Sequence, residues 1–263
     1  MEENYIALNK STWNSKVDFH VNSDFYDMPT FLAGNSSLNE IETPLLGDLK
    51  GKKVLHLQCH FGQDTLSMAR MGAKCTGVDL SDKAISKAQE LNEQLKLDAQ
   101  FICCDLFDIE NHLEGEFDVV FASYGTIGWL PDINKWASIV NKYLKKGGKF
   151  VFAEFHPIVW MFDDDFKTVA YPYNNQKALV ETYEGTYAQK DAKISNTAVM
   201  WHHGLAEVIS ALNNQGLSLK EFNEFNYSPY SCFNGLKEIE PGKHIIEKFE
   251  GRIPMVYSLL YIK

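Results

Sequence analysis

Residues 54–64, VLHLQCHFGQD, end an apolar run and lead into a helix-like stretch. A nucleotide-binding sheet carries its glycine-rich turn at such a place. Here Gln58, His60 and Gly62 stand where three glycines are expected. Two bulky residues argue against a backbone cradle for pyrophosphate, while Gly62 still permits close approach of backbone to a ligand. The helix start that follows offers free amides to a carboxylate. The next apolar run ends GVDLS, placing Asp79 twenty-one residues after Gln58, near the spacing at which an acid meets two ribose hydroxyls. A third run ends CCDLFD, and its Asp105 can accept a hydrogen bond from an adenine amino group. The trio suits a ligand with a carboxylate, a ribose and an adenine but no phosphate.

The elements that must position these residues follow from the hydrophobic pattern. Between residues 50 and 155, KKVLHLQC, AKCTGVDLS, AQFICCDLF, FDVVFASYG and GGKFVFAEF are short, nearly continuous apolar runs separated by helical stretches. That rhythm predicts a parallel sheet covered on both faces. Helices are expected over Asp64–Met71, from a Ser81 cap to about Lys96, over Asp132–Leu144, and from His202 to Gln215 ahead of Gly216. Two late strands, LSLKEFNEFNY and MVYSLLYI, predict an antiparallel pair at the sheet edge. Residues 1–45 are too rich in aromatics for a disordered tail, and residues 156–201 show no helical period and predict an irregular or β-rich insertion.

The motifs LHLQCHFGQDTLS, GVDLS, SYGTIGWLPD and EFHP resemble those of a bacterial subgroup of the class I S-adenosylmethionine-dependent methyltransferases. The resemblance covers residues 50–160 strongly and the whole chain loosely. It implies an α/β, Rossmann-like fold: a seven-stranded mixed sheet with its last strand antiparallel, helices on both faces, an N-terminal lid (1–45) on a methyltransferase domain (46–263), and a cap-like insertion after strand 5. It further implies S-adenosylmethionine as cofactor and S-adenosylhomocysteine as product. The loop Gln58, Cys59, His60, Gly62 and Gln63 would hold the methionine end, Asp79 with Leu80 the ribose, and Asp105 with Leu106 the adenine. Ser123 and Tyr124 would sit beneath the sulfonium.

Candidates for acceptor chemistry lie at the same sheet edge. His156, in AEFHP, has a side chain whose ordinary pKa suits a general base, and Tyr124 is the second catalytic candidate. Trp129, Glu154, His202, His203, Trp13 and His20 are candidate substrate contacts, with Tyr5 and Phe19 as further lid residues. His56, inside a strand, reads as a core residue. A formal charge of −10 and a pI near 5.3 disfavour nucleic acid and anionic membrane as partners and favour a small molecule or a protein; a small-molecule substrate and a monomer or homodimer are expected. No run approaches a membrane span, no signal-peptide core opens the chain, and five cysteines without metal spacing read as reduced thiols, so a cytoplasmic protein without a bound metal is expected. A non-catalytic S-adenosylmethionine-binding protein and a nicotinamide-dependent oxidoreductase remain as alternatives.

Overall fold

The computed structural model describes residues 4–174 and 177–263. Residues 1–3 of the expected lid, and Asn175 and Gln176 of the expected insertion, lie outside them. Strands β1 (Lys53–Leu57), β2 (Lys74–Asp79), β3 (Gln100–Cys103), β4 (Phe117–Ser123) and β5 (Leu144–Phe155) run parallel in the order β3-β2-β1-β4-β5. The sheet is completed by β11 (Val256–Ile262), antiparallel to both β5 and the edge strand β8 (Ser218–Phe225), so the expected seven-stranded mixed sheet is present.

Alternation along the strands sends residues into two cores. Leu55, Leu57, Val120, Phe150, Phe152 and Leu259 pack on one face, where α6 (Ile133–Tyr143) contributes the fully buried Trp136 and α7 (Leu205–Asn214) contributes Val208 and Leu212. Val54, Val119, Phe121 and Val151 point to the other face, beneath α4 (Gln63–Arg70), α5 (Asp82–Leu95) and part of the N-terminal segment. Helix starts follow local chemistry: Ser81 Oγ accepts the Ala84 amide at 3.0 Å and an Asp132 carboxylate oxygen accepts the Lys135 amide at 2.9 Å.

The N-terminal segment forms α1 (Tyr5–Val21), followed by the short α2 (Met28–Leu32) and α3 (Thr43–Leu46). The stripe that α1 buries, Asn9, Thr12, Lys16, Val17 and His20, is mostly polar, so no hydrophobic period marks it in the sequence. Its partner is the hairpin β6 (Leu179–Glu184) and β7 (Ser195–Met200), formed within the predicted insertion. The Asn9 side chain donates to the Val199 carbonyl and accepts its amide, both at 2.9 Å, and Thr12 Oγ1 donates to the Thr197 carbonyl. α1 thus satisfies polar groups along a strand edge. A second hairpin, β9 (Leu236–Glu240) with β10 (Lys243–Ile246), lies between the two late strands and was not foreseen. α7 begins at Leu205, with Gly204 as its cap, so His202 and His203 precede the helix instead of opening it.

Candidate functional site

The carboxyl ends of β1 through β5 open into a cavity of about 870 Å³, roofed by α1, the segment around Tyr26 and the β6–β7 hairpin. The volume is at the upper end of that of ligand sites. The β1 turn forms one wall, and its backbone resolves the missing glycines: Gln58 and His60 adopt φ of +54° and +50°, and Gly62 follows at +80°. The turn keeps a glycine-type path while carrying side chains at a strain of about 1 kcal/mol or more per residue. Asp27, Tyr124 and Phe166 are also left-handed, so five non-glycine residues with positive φ line this one cavity.

Asp79 ends β2 and fastens this turn. One carboxylate oxygen accepts the His60 amide and the other the Ser81 amide, each at 2.8 Å. Burial raises its pKa to about 6 against the pull of these amides. Each oxygen retains a lone pair for a ligand hydroxyl. Leu80, Cys104, Asp105 and Leu106 continue the wall, and an Asp105 carboxylate oxygen accepts the Phe107 amide at 3.0 Å. Cys59 is buried, and Gln58 Nε2 donates to the Thr126 carbonyl at 2.8 Å. Gln63 holds the N-terminal segment instead of facing a ligand freely, donating to the Tyr26 carbonyl at 2.8 Å. The close approach at Gly62 is also internal: a Cβ there would meet the Phe101 ring at 2.7 Å and Ala88 at 3.0 Å.

At the end of β4, Ser123 Oγ donates to Asp64 at 3.3 Å, and Ser37 Oγ donates to the other Asp64 oxygen at 2.6 Å. Tyr124 donates to Glu42 at 2.6 Å, and Asn39 ties Glu42 to Tyr230. Burial, with Glu42 nearby, raises the Asp64 carboxyl to about 7. Sequence reasoning missed Asp64 and Glu42. Asp64 follows the β1 turn and was read only as the start of a helix, while Glu42 reaches the site through chain folding alone.

The remaining candidates differ in how they sit toward the cavity. The buried His156 ring lies outside the cavity wall: Nε2 meets Glu224 at 3.0 Å and Nδ1 accepts the Ile158 amide at 3.2 Å, so the ring joins β5 to edge strand β8. Glu154 borders the cavity, but its carboxylate accepts the amides of Gly125, Thr126, Ile127 and Phe155 and shapes the turn after β4. His20 is fully buried behind His60, their ring nitrogens 2.9 Å apart. His202 and His203 both border the cavity, but His203 is buried and engaged by the Leu130 carbonyl at 2.8 Å and by Glu207 at 3.1 Å, whereas His202 is half-buried. Trp13, Trp129 and Tyr5 line the cavity; Phe19 does not. His56 pairs with Thr65 at 2.8 Å, and burial holds its imidazole near 3.

The turn retains orphaned polar atoms: Gln58 Oε1 and His60 Nδ1 are buried without partners among the described residues. Together with the spare lone pairs of Asp79, they fit a ligand that brings its own polar groups. The strand order and acid-topped second strand define the fold of the S-adenosylmethionine-dependent methyltransferases. Geranyl diphosphate C-methyltransferase from Streptomyces coelicolor superposes with a TM-score of 0.62 over 98% of this chain and 97% of that one, at 13% identity. The family model described as Methyltransferase domain matches residues 48–226, and the chain belongs to that family. An uncharacterized methyltransferase of Synechocystis sp. is 32% identical over 133 residues, 50% of this chain and 60% of that protein. A ubiquinone biosynthesis O-methyltransferase of Coxiella burnetii is 30% identical over 105 residues, 40% of this chain and 44% of that protein. Thus the matches span less than two thirds of either relative. Among the described residues no group of three or more potential metal ligands occurs, and no helix is long and apolar enough to cross a membrane.

Proposed function

We propose that this enzyme transfers the methyl group of S-adenosylmethionine to an oxygen or nitrogen nucleophile on a small-molecule acceptor. The observation that carries this reading is the fastening of the β1 turn to Asp79 at the mouth of a deep, aromatic-walled cavity. In this reading the loop from Gln58 to Gly62 holds the methionine end, Asp79 and Leu80 the ribose, and Asp105 and Leu106 the adenine. The bound cofactor supplies a methyl group already activated by a sulfonium. Residues 1–45 act as a lid, with α1 and Trp13 covering the cofactor and excluding water.

Much of the protein's catalytic contribution is then positioning. Where the acceptor carries a proton, Asp64 is the best placed group to receive it, since it lines the cavity, is held by Ser37 and Ser123, and is raised to about 7. Tyr124 and Glu42 steady that wall. The name of the Coxiella burnetii relative, a ubiquinone biosynthesis O-methyltransferase, supports an oxygen acceptor. Calorimetric titration with S-adenosylmethionine, S-adenosylhomocysteine and NADH tests the reading. Micromolar binding of the first two alone is expected; NADH binding alone would replace it with an oxidoreductase. An acceptor screen that yields no S-adenosylhomocysteine from cofactor-binding protein would favour a non-catalytic binder.

A further inference from the structure

Lys16 is a cation in an unusual position. It lies on the inner face of α1, is 3% exposed and borders the cavity. Its ammonium sits 4.5 Å from the Trp13 ring centroid, 5.1 Å from Tyr183, 5.4 Å from Trp129 and 5.9 Å from Tyr187. These rings come from α1, the turn after β4, and the β6–β7 hairpin with its tip. No carboxylate or hydrogen-bond acceptor meets Nζ among the described residues. Aromatic faces attract an ammonium but accept none of its three hydrogen bonds in the directional way an oxygen does. A buried charge without a counter-ion is unfavourable.

The neighbouring wall repeats the pattern. His60 borders the same cavity, and its Nε2 is 2.9 Å from His20 Nδ1, while its Nδ1 is buried and unpartnered. If the shared proton sits on His20 Nδ1, His60 Nδ1 carries the other hydrogen and becomes a donor toward a ligand. Acids that line the cavity are engaged elsewhere: Asp79 by the His60 and Ser81 amides, Asp64 by Ser37 and Ser123, Glu154 by backbone amides and Glu181 by the Tyr171 hydroxyl. One side of the cavity therefore presents unmet donor capacity, and the matching chemistry is an oxyanion.

We propose that Lys16, with His60, binds the carboxylate of a ligand in this cavity, within the aromatic box of Trp13, Trp129, Tyr183 and Tyr187. The inference rests on the methyltransferase reading only for its two sources of carboxylate: the amino-acid end of the cofactor, or an acidic, planar acceptor.

Calorimetry on the full chain separates the sources. S-adenosylhomocysteine and 5′-methylthioadenosine, which lacks the amino-acid end, are titrated into wild type, Lys16→Met and Lys16→Arg; benzoate and uncharged benzamide are titrated with and without saturating S-adenosylhomocysteine. If the cofactor supplies the carboxylate, Lys16→Met weakens S-adenosylhomocysteine by about tenfold or more, the scale of a charged hydrogen bond, and leaves methylthioadenosine unchanged. If the acceptor supplies it, wild type prefers benzoate to benzamide, and Lys16→Met abolishes the preference without altering S-adenosylhomocysteine binding. Lys16→Arg retains the preference in either case. Equal effects of Lys16→Met on charged and uncharged probes, or none on either, overturn the proposal. Thermal melting and retained methylthioadenosine binding report whether Lys16→Met is folded. Wild type that binds neither adenosine ligand removes the cofactor reading, while the benzoate pair still decides the carboxylate site.

Discussion

The backbone amide of His60 donates to an Asp79 carboxylate oxygen over 2.8 Å, joining the turn after β1 to the end of β2. The acid therefore holds the shape of the turn as well as facing the cavity. Asp79→Ala is expected to weaken S-adenosylhomocysteine by about 1–3 kcal/mol through lost hydrogen bonds and a loosened turn. Calorimetry checks this, and an unchanged dissociation constant would remove Asp79 from the site.

Gly62 is required by packing and by its φ of +80°. Gly62→Ala should destabilise the chain by about 2–4 kcal/mol, from the left-handed backbone and the contact with Phe101. Adding Phe101→Leu should recover part of that loss, leaving the backbone strain. Urea denaturation of the single and double variants measures both; no recovery would mean that the ring is not the obstacle.

His156→Ala should lower stability by about 1–3 kcal/mol, because it leaves the Ile158 amide without its acceptor and cuts the link to Glu224. Affinity for S-adenosylhomocysteine should be unchanged. Loss of turnover at unaltered stability and cofactor affinity would return His156 to the site as a base.

Asn9 anchors the proposed lid through two hydrogen bonds to Val199. Asn9→Ala should weaken this attachment by about 1–3 kcal/mol and speed amide exchange in β7 and α1 relative to the sheet. Uniform exchange across the chain would show instead that α1 opens only with global unfolding.

Burial holds Lys16 near 7, against an ordinary 10.5. The unfolded chain keeps this proton until about pH 10.5, whereas the folded chain releases it near 7, so folding is increasingly favoured as pH rises through that window. Wild type should therefore gain stability relative to Lys16→Met between about pH 7 and pH 10. Denaturation curves at both ends test it; a constant difference would mean a solvated amine with its ordinary titration.

The parallel core was legible because buried strands are nearly continuous apolar runs, and because Ser81 and Asp132 mark helix starts by side-chain chemistry that acts within three residues. The acid at Asp79 was legible for a similar reason, since spacing along the chain fixes its place at a strand end. α1 was not, because it buries Asn9, Thr12, Lys16 and His20 against a strand edge and another histidine, and a polar stripe carries no hydrophobic period. The β9–β10 hairpin was also missed, since its strands are only five and four residues long and the mostly exposed β9 offers little apolar alternation.

His156 shows the limit most plainly. Its type and its position after β5 suit a base, yet the antiparallel β11 brings β8 alongside and gives the ring to Glu224. By itself, the sequence determined the sheet and its acid-topped edge, both consequences of local pattern and spacing. Only the tertiary structure decided which polar side chains have partners. Pairings such as Asp64 with Ser37 and Ser123, Tyr124 with Glu42, and His60 with His20 join distant segments, while Lys16 is left facing aromatic rings and the cavity. Hydrogen bonding depends on position in space to within fractions of an ångström, and that information exists only once the chain has folded.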